Sequence, residues 1–321
     1  MFSWGCTILR CTPLGQTGLV GANPTACGAF EPHLRRGYQR AEVITAAAYL
    51  ARVTHWFTYP NIDPIAFRLG PIAVHWYGLS YLFGFICVFL WMNRPAGRRR
   101  LGLTTDEIQD FLVYALVGVL IGGRVGFVIA DIITQHNLGD YLAHPLNFIA
   151  VWQGGMAFHG ALIGVMLASL LFLHKHPGLG FNVLFDEVVV MLPIGIATTR
   201  VVNFINDELV GKICNPDQPY CIAFPNYTGY RYPSQIFEGI LDILVLPIVL
   251  LIYRRRPADG VVAWSWFMLY GVTRSIAEIW REPGFTVAGL SGGQLAAIPQ
   301  IFIGLGMLIW SIRRGKHTPA R

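Results

Sequence analysis

Seven stretches of about 18 or more predominantly apolar residues restrict this chain more than any other feature. They run over 72–92, 108–130, 149–173, 187–206, 236–253, 261–279 and 295–312. Each is long enough to cross the hydrocarbon core of a bilayer as a helix. Water offers such surface no cover, whereas lipid tails solvate it. The expected fold is therefore an all-α integral membrane protein, a polytopic bundle of about seven transmembrane helices. Composition agrees: 54% of the 321 residues are hydrophobic and 13% are charged, the latter about half the usual share of a soluble domain.

Orientation follows from the cations, which collect in cytoplasmic loops. Arg94, Arg98, Arg99 and Arg100 follow the first run, Lys175 the third, Arg254, Arg255 and Arg256 the fifth, and Arg313, Arg314 and Lys316 the last. The intervening loops carry few: none in 131–148, Lys212 and Arg231 in 207–235, and Arg281 in 280–294. This places the N-terminus outside, the C-terminus in the cytoplasm, and a small periplasmic loop region around 207–235. The net charge of +6 is divided among these clusters instead of forming a basic face, so nucleic acid is not an expected partner.

Residues 1–55 fit this plan badly. They carry Arg10, Arg35, Arg36, Arg40 and Arg52 and lack the apolar core of a signal peptide. The expectation is an N-terminal extension, disordered or arising from a start assigned too early. No methionine lies between Met1 and Met92, so a later start requires a non-AUG codon, for example at Val53. The remainder, 56–321, reads as one membrane domain.

Six cysteines show neither zinc-like nor thioredoxin-like spacing, so no metal, redox motif or cofactor is signalled. Cys214 and Cys221 bracket NPDQPY; they form a short disulfide if that loop faces an oxidising compartment, and are two unpaired loop thiols otherwise. The HExxH, GxSxG and GxxxxGK[ST] patterns are absent, which argues against a zinc protease, a serine hydrolase of the usual kind and an ATP-driven pump.

Ionisable residues at membrane depth cost a few kcal/mol or more and mark functional sites or water-filled cavities. The apolar runs contain Arg124, His159, Arg200 with Asn203 and Asn206, Glu238 and Asp242, and Arg274 with Glu278. Helical offsets bring Asn203 and Asp207 to the stripe of Arg200, and Glu278 and Arg281 to that of Arg274. Arginines, always protonated and able to make forked hydrogen bonds, suit a phosphate or carboxylate ligand. A phospholipid headgroup is the anion present at that depth. The bland alternatives are an i, i+4 ion pair for Arg274 with Glu278 and snorkelling for Arg124. A lone helical histidine is more often a packing residue than a catalyst; His159, in MAFHGALIG, also suits a general base near an anion site.

At these residues the chain resembles the prolipoprotein diacylglyceryl transferases of bacterial inner membranes, from about Pro60 to Trp310. The matching segments are DPIAFRLGPIAVHWYGLSYLFGF, IGGRVGF, VWQGGMAFHGALIG, RVVNFINDELVG, YPSQIFEG and YGVTRSIAEIWREP. The family's G-R-x-G-N-F-x-N-x-E-x-x-G places Arg200, Asn203, Asn206, Glu208 and Gly211 in register. Its H-G-G gives His159, its H-W-Y-G gives Tyr77, and its Y-G-x-x-R-x-x-x-E gives Tyr270, Arg274 and Glu278. Departures fall where the family usually has glycine: Thr199, Val202, Asp207 and Ala161 stand there, and Val210 replaces a usual tryptophan.

The resemblance implies transfer of diacylglyceryl from phosphatidylglycerol to the lipobox cysteine of prolipoprotein signal peptides, in the bacterial inner (cytoplasmic) membrane. His159 or Glu208 would remove the thiol proton, and Arg200 and Arg274 would hold the phosphate. Asn203, Asn206, Tyr77, Tyr270, Gly211 and Glu278 would complete the lipid site, without metal or cofactor. The rivals are an anion transporter, for which paired discontinuous halves are not evident in the sequence, and an inactive lipid-binding paralogue.

Overall fold

A computed structural model describes residues 58–70, 72–151, 155–255 and 257–315. The reading of residues 1–55 as an extension lies outside these described residues. Among them, helices dominate, joined by three two-stranded antiparallel hairpins.

The first expected run is shared between two kinds of structure. Strand β1 (Ile65–Leu69) pairs with β2 (Ile72–His75), and helix α1 (Trp76–Met92) begins only after them. Gly70, at φ +60°, supplies the left-handed turn of the hairpin. Helix α1 is followed at a 79° bend by α2 (Pro95–Leu101), whose Pro95 occupies the first turn. Helix α3 (Thr105–Gln135) starts at a capping box of Thr104 and Glu107. At 31 residues it is about 46 Å long.

A short helix α4 (Leu138–Ala143) and a 3-10 turn (Pro145–Phe148) lead to α5 (Phe158–Lys175). The third run is therefore helical from Phe158, not from 149. Gly155 is left-handed at φ +75°, and the carbonyls freed around it are used elsewhere, as described below.

Helices α6 (Phe181–Val188) and α7 (Leu192–Ile205) meet at a 49° bend, with Pro193 in the first turn of α7. Then come the hairpin of β3 (Ile222–Ala223) and β4 (Tyr230–Arg231), α8 (Ser234–Arg254), α9 (Val261–Ala277), β5 (Thr286–Val287) with β6 (Leu290–Ser291), and α10 (Gly292–Arg314). A disulfide joins Cys214 to Cys221, Cα atoms 6.2 Å apart, just before β3.

By length and composition, α3, α8 and α10 are each able to cross a membrane, and counting each bent pair as one span raises the number among the described residues from 3 to as many as 5. Burial is inverted relative to a water-soluble protein. Leu90, Ile121, Ile133, Leu167, Leu171, Leu244 and Phe302 are exposed, while Arg124, Asp186, Glu187, Glu238, Asp242 and Glu278 are buried. Lipid tails suit such an exterior.

Small residues weld α3 to α5. A Cβ added at Gly122 would lie 2.3 Å from the carbonyl oxygen of Gly160, and one at Gly164 would lie 2.0 Å from that of Gly118. The two backbones therefore touch, as glycine spacing of four allows in membrane helices. Around the other helices, α7 packs on α1 and α8, and α9 on α8 and α10. This second group carries most of the buried charge.

Candidate functional site

Helix α8 presents Gln235, Glu238 and Asp242 on one face, because offsets of three and seven return to the same side. All three are buried. Opposite Glu238 stand arginines from two helices and a loop. Arg200 of α7 approaches its Oε1 at 2.8 Å, Arg274 of α9 approaches the same atom at 2.7 Å, and Arg281 approaches Oε2 at 3.6 Å. Arg274 also pairs with Glu278 at 2.5 Å, and Arg200 Nε lies 3.8 Å from Asp242.

The carboxylates are buried beneath, whereas the three guanidinium side chains keep 15%, 18% and 19% exposure. Three cations face three acids, and the cations are on the reachable side. An incoming oxyanion can meet the guanidiniums without first removing the acids that hold them. Tyr270, one turn before Arg274, interacts with Arg200 and stacks on Trp266.

A second group adjoins the first through Asn203. Its Oδ1 accepts from Arg200 Nη1 at 3.3 Å, and its Nδ2 donates to the Tyr77 hydroxyl and, at 3.3 Å, to Glu208 Oε2. Tyr77, in the first turn of α1, donates to the same Glu208 oxygen. Gln235 Nε2 donates to the Glu208 backbone carbonyl. The Glu208 carboxylate, itself exposed, is thus held one residue's reach from the arginine network.

A family model for prolipoprotein diacylglyceryl transferase matches residues 64–310. Three relatives bear the name phosphatidylglycerol–prolipoprotein diacylglyceryl transferase. The one from Geobacter sulfurreducens is 41% identical over 263 residues, covering 80% of this chain and 98% of the relative. Those from Bordetella bronchiseptica and Azospirillum brasilense are each 40% identical, covering 79% and 82% of this chain and 97% of either relative. The chain belongs to the prolipoprotein diacylglyceryl transferase family.

Within this transferase fold, Tyr77, Arg200, Asn203, Glu208, Tyr270, Arg274 and Glu278 gather around one network. His159 stands exposed in the first turn of α5, a helix that packs principally on α3. Gly211 holds the chain path. A Cβ there would lie 2.5 Å from the Tyr232 carbonyl oxygen and 2.6 Å from that of Trp280, and Gly211 bridges to Arg281.

Two expected helical stripes end early. Helix α7 stops at Ile205, Asn206 caps it, and Asp207 turns left-handed at φ +56°, so Asp207 leaves the Arg200 stripe. Its Oδ2 accepts instead from the Asn226 N–H at 3.0 Å. That φ favours glycine, the family's usual residue, and aspartate is among the few side chains that tolerate it. Helix α9 stops at Ala277, and Arg281 reaches Glu238 and Glu278 from the loop beyond.

Arg124 does not snorkel. It is 6% exposed and donates to the backbone carbonyls of Phe148, Gly155 and Asn147, fastening the segment before α5. Sequence reasoning noted Glu238 and Asp242 as buried charges yet left them, Arg281 and Gln235 out of the site. Carboxylates look unsuited to an anion site when the cations they orient are on other helices. The nearest signal was YPSQIFEG, which holds both Gln235 and Glu238.

Proposed function

We propose that this chain transfers the diacylglyceryl group of phosphatidylglycerol to the thiol of a prolipoprotein lipobox cysteine, the first step of bacterial lipoprotein maturation. The observation that carries the reading is the convergence of Arg200 and Arg274, from two helices, on the buried Glu238, with both guanidiniums still reachable. Glu238 orients the forks; the remaining N–H groups bind the phosphate oxygens. As the C–O bond to the lipid glycerol breaks, its electron pair passes to the phosphate, whose growing charge the arginines stabilise. The cysteine sulfur forms the new C–S bond, and glycerol phosphate leaves.

The thiol proton must go to a base, since the thiolate is the nucleophile. The hydrogen bonds from Tyr77, Asn203 and Gln235 that hold Glu208 support it in this role. His159, on α5, is the other candidate from the resemblance. Tyr270 and Glu278 support Arg200 and Arg274, Asn206 closes α7 beside Glu208, and Gly211 keeps the Arg281 loop in place. No cofactor enters this scheme.

The chain is multi-pass in the bacterial inner membrane, its seven apolar helices α1, α3, α5, α7, α8, α9 and α10 acting as spans, N-terminus outside and C-terminus cytoplasmic. The Cys214–Cys221 disulfide supports an outer location for the loop around 207–235. Residues 56–321 act as one domain. Detergent-solubilised protein, phosphatidylglycerol and a lipobox peptide test the reading together. A thioether-linked peptide and glycerol phosphate are expected; an anion transporter or an inactive lipid binder yields neither.

A further inference from the structure

The hydrogen-bond inventory around Arg200 and Glu238 is lopsided. Gln235 Oε1 and Asn206 Oδ1 are buried and find no hydrogen-bond partner among the described residues, whereas the Asp242 carboxylate at least faces Arg200 Nε at 3.8 Å. A buried acceptor left unmet is costly, so an excess of them calls for a ligand that brings donors. Gln235 is the sharpest case. It is 1% exposed, and because its Nε2 is committed to the Glu208 carbonyl, the amide cannot be reversed without setting oxygen against oxygen. Its Oε1 is thereby fixed as an acceptor, one helical turn from Glu238.

A phosphate brings acceptors only. It satisfies the arginines and leaves every one of these oxygens unmet. A phosphodiester that also carries hydroxyl groups satisfies both sides of the inventory. We propose that Gln235, with Asn206 two residues before the Glu208 it holds, reads the hydroxyls of the lipid headgroup and so selects a glycerol-bearing phosphodiester over other phospholipids of equal charge. This rests on the reading of the site given above. Gln235 is joined to the guanidiniums through Glu208, whose carbonyl it holds, and Asn203, which bridges Glu208 to Arg200.

The test uses the purified full chain in detergent, a lipobox peptide, and two donors: phosphatidylglycerol, and phosphatidyl-1-propanol, which has the same charge and no headgroup hydroxyl. For the wild type, kcat/KM is expected to favour phosphatidylglycerol by about tenfold or more, the weight of one or two well-placed hydrogen bonds. Gln235→Met and Asn206→Ala should each move that ratio toward one. Loss of folded protein cancels, because the ratio is taken within one preparation. A wild-type ratio near one, or a ratio that survives both substitutions, overturns the headgroup assignment while leaving the transferase reading intact. Transfer from neither donor by the wild type overturns the transferase reading itself, and the assignment with it.

Discussion

The bundle holds two buried charge networks, at opposite ends of α1, α8 and α9, and they are built to different rules. At the Arg94 end, Arg100 pairs with Asp186 at 2.7 Å and with Asp259 at 3.5 Å, and Arg94 pairs with Glu187 at 3.2 Å. Asp186 Oδ1 accepts from the Ala263 N–H and Oδ2 from the Gly260 N–H, at 2.8 and 2.9 Å, so the carboxylate caps α9. Tyr253 donates to Glu187 at 2.5 Å, and Arg94 lies 3.3 Å above the Trp91 ring. Both Asp186 and Glu187 are satisfied and fully buried, and the unmet buried groups at this end, Nε1 of Trp91 and of Trp264 and the Ser311 hydroxyl, lie outside the ion pairs. At the Arg200 end, by contrast, several acceptors and one guanidinium N–H are unmet. A closed network latches the elbows α1–α2 and α6–α7 to each other; an open one retains hydrogen-bonding capacity for a ligand.

The largest test of that contrast concerns the base. Glu208→Gln is expected to lower turnover by about 100- to 10,000-fold, the usual weight of general base catalysis. His159→Gln, measured beside it, should do less; the reverse ranking would move proton removal to α5. Next come the arginines. Arg200→Ala and Arg274→Ala should each cost about 100- to 1,000-fold in transfer, the loss of one preorganised donor at a developing charge. The amount of inserted protein has to be measured for Arg274→Ala, since Glu278 then loses its ion-pair partner.

At the latch the expected loss is in stability instead. Asp186→Asn removes one charge and one acceptor, and should lower unfolding free energy by about 1–3 kcal/mol, read as a lower Tm, with unchanged transfer per folded molecule. A large drop in specific activity there would erase the distinction between the two ends. The smallest effect is expected at the rim of the open end, where Arg231 meets the exposed Glu282 at 3.2 Å. Glu282→Gln should shift stability by no more than about 1 kcal/mol and leave transfer near the wild-type rate.

Periodicity made part of this legible. The Arg274–Glu278 pairing, the facing of Arg200 with Asn203 and the apolar helices all follow from residue spacing within single segments. What sequence did not reveal lies between segments. That Arg200 and Arg274 share Glu238 depends on how α7, α8 and α9 pack, and no spacing encodes it. Arg94 and Arg100 read as cytoplasmic cations, yet they turn inward because Asp186 and Glu187 lie across the elbow. The β1–β2 hairpin escaped notice because an apolar strand and an apolar helix look alike in a hydropathy window. Arg124 has backbone carbonyls for partners, which leave no trace in side-chain pattern.

The central claim is that the open network is the catalytic phosphate site and the closed one is not. Arg200→Lys and Asp186→Asn, purified in parallel, test it most directly through diacylglyceryl transfer per folded molecule and Tm. Lysine keeps the charge and loses the planar fork, so Arg200→Lys should lose most of its transfer at a near wild-type Tm, while Asp186→Asn should lose Tm and keep its transfer. Wild-type transfer by a normally folded Arg200→Lys protein, or the same loss of transfer in both variants, would contradict the account.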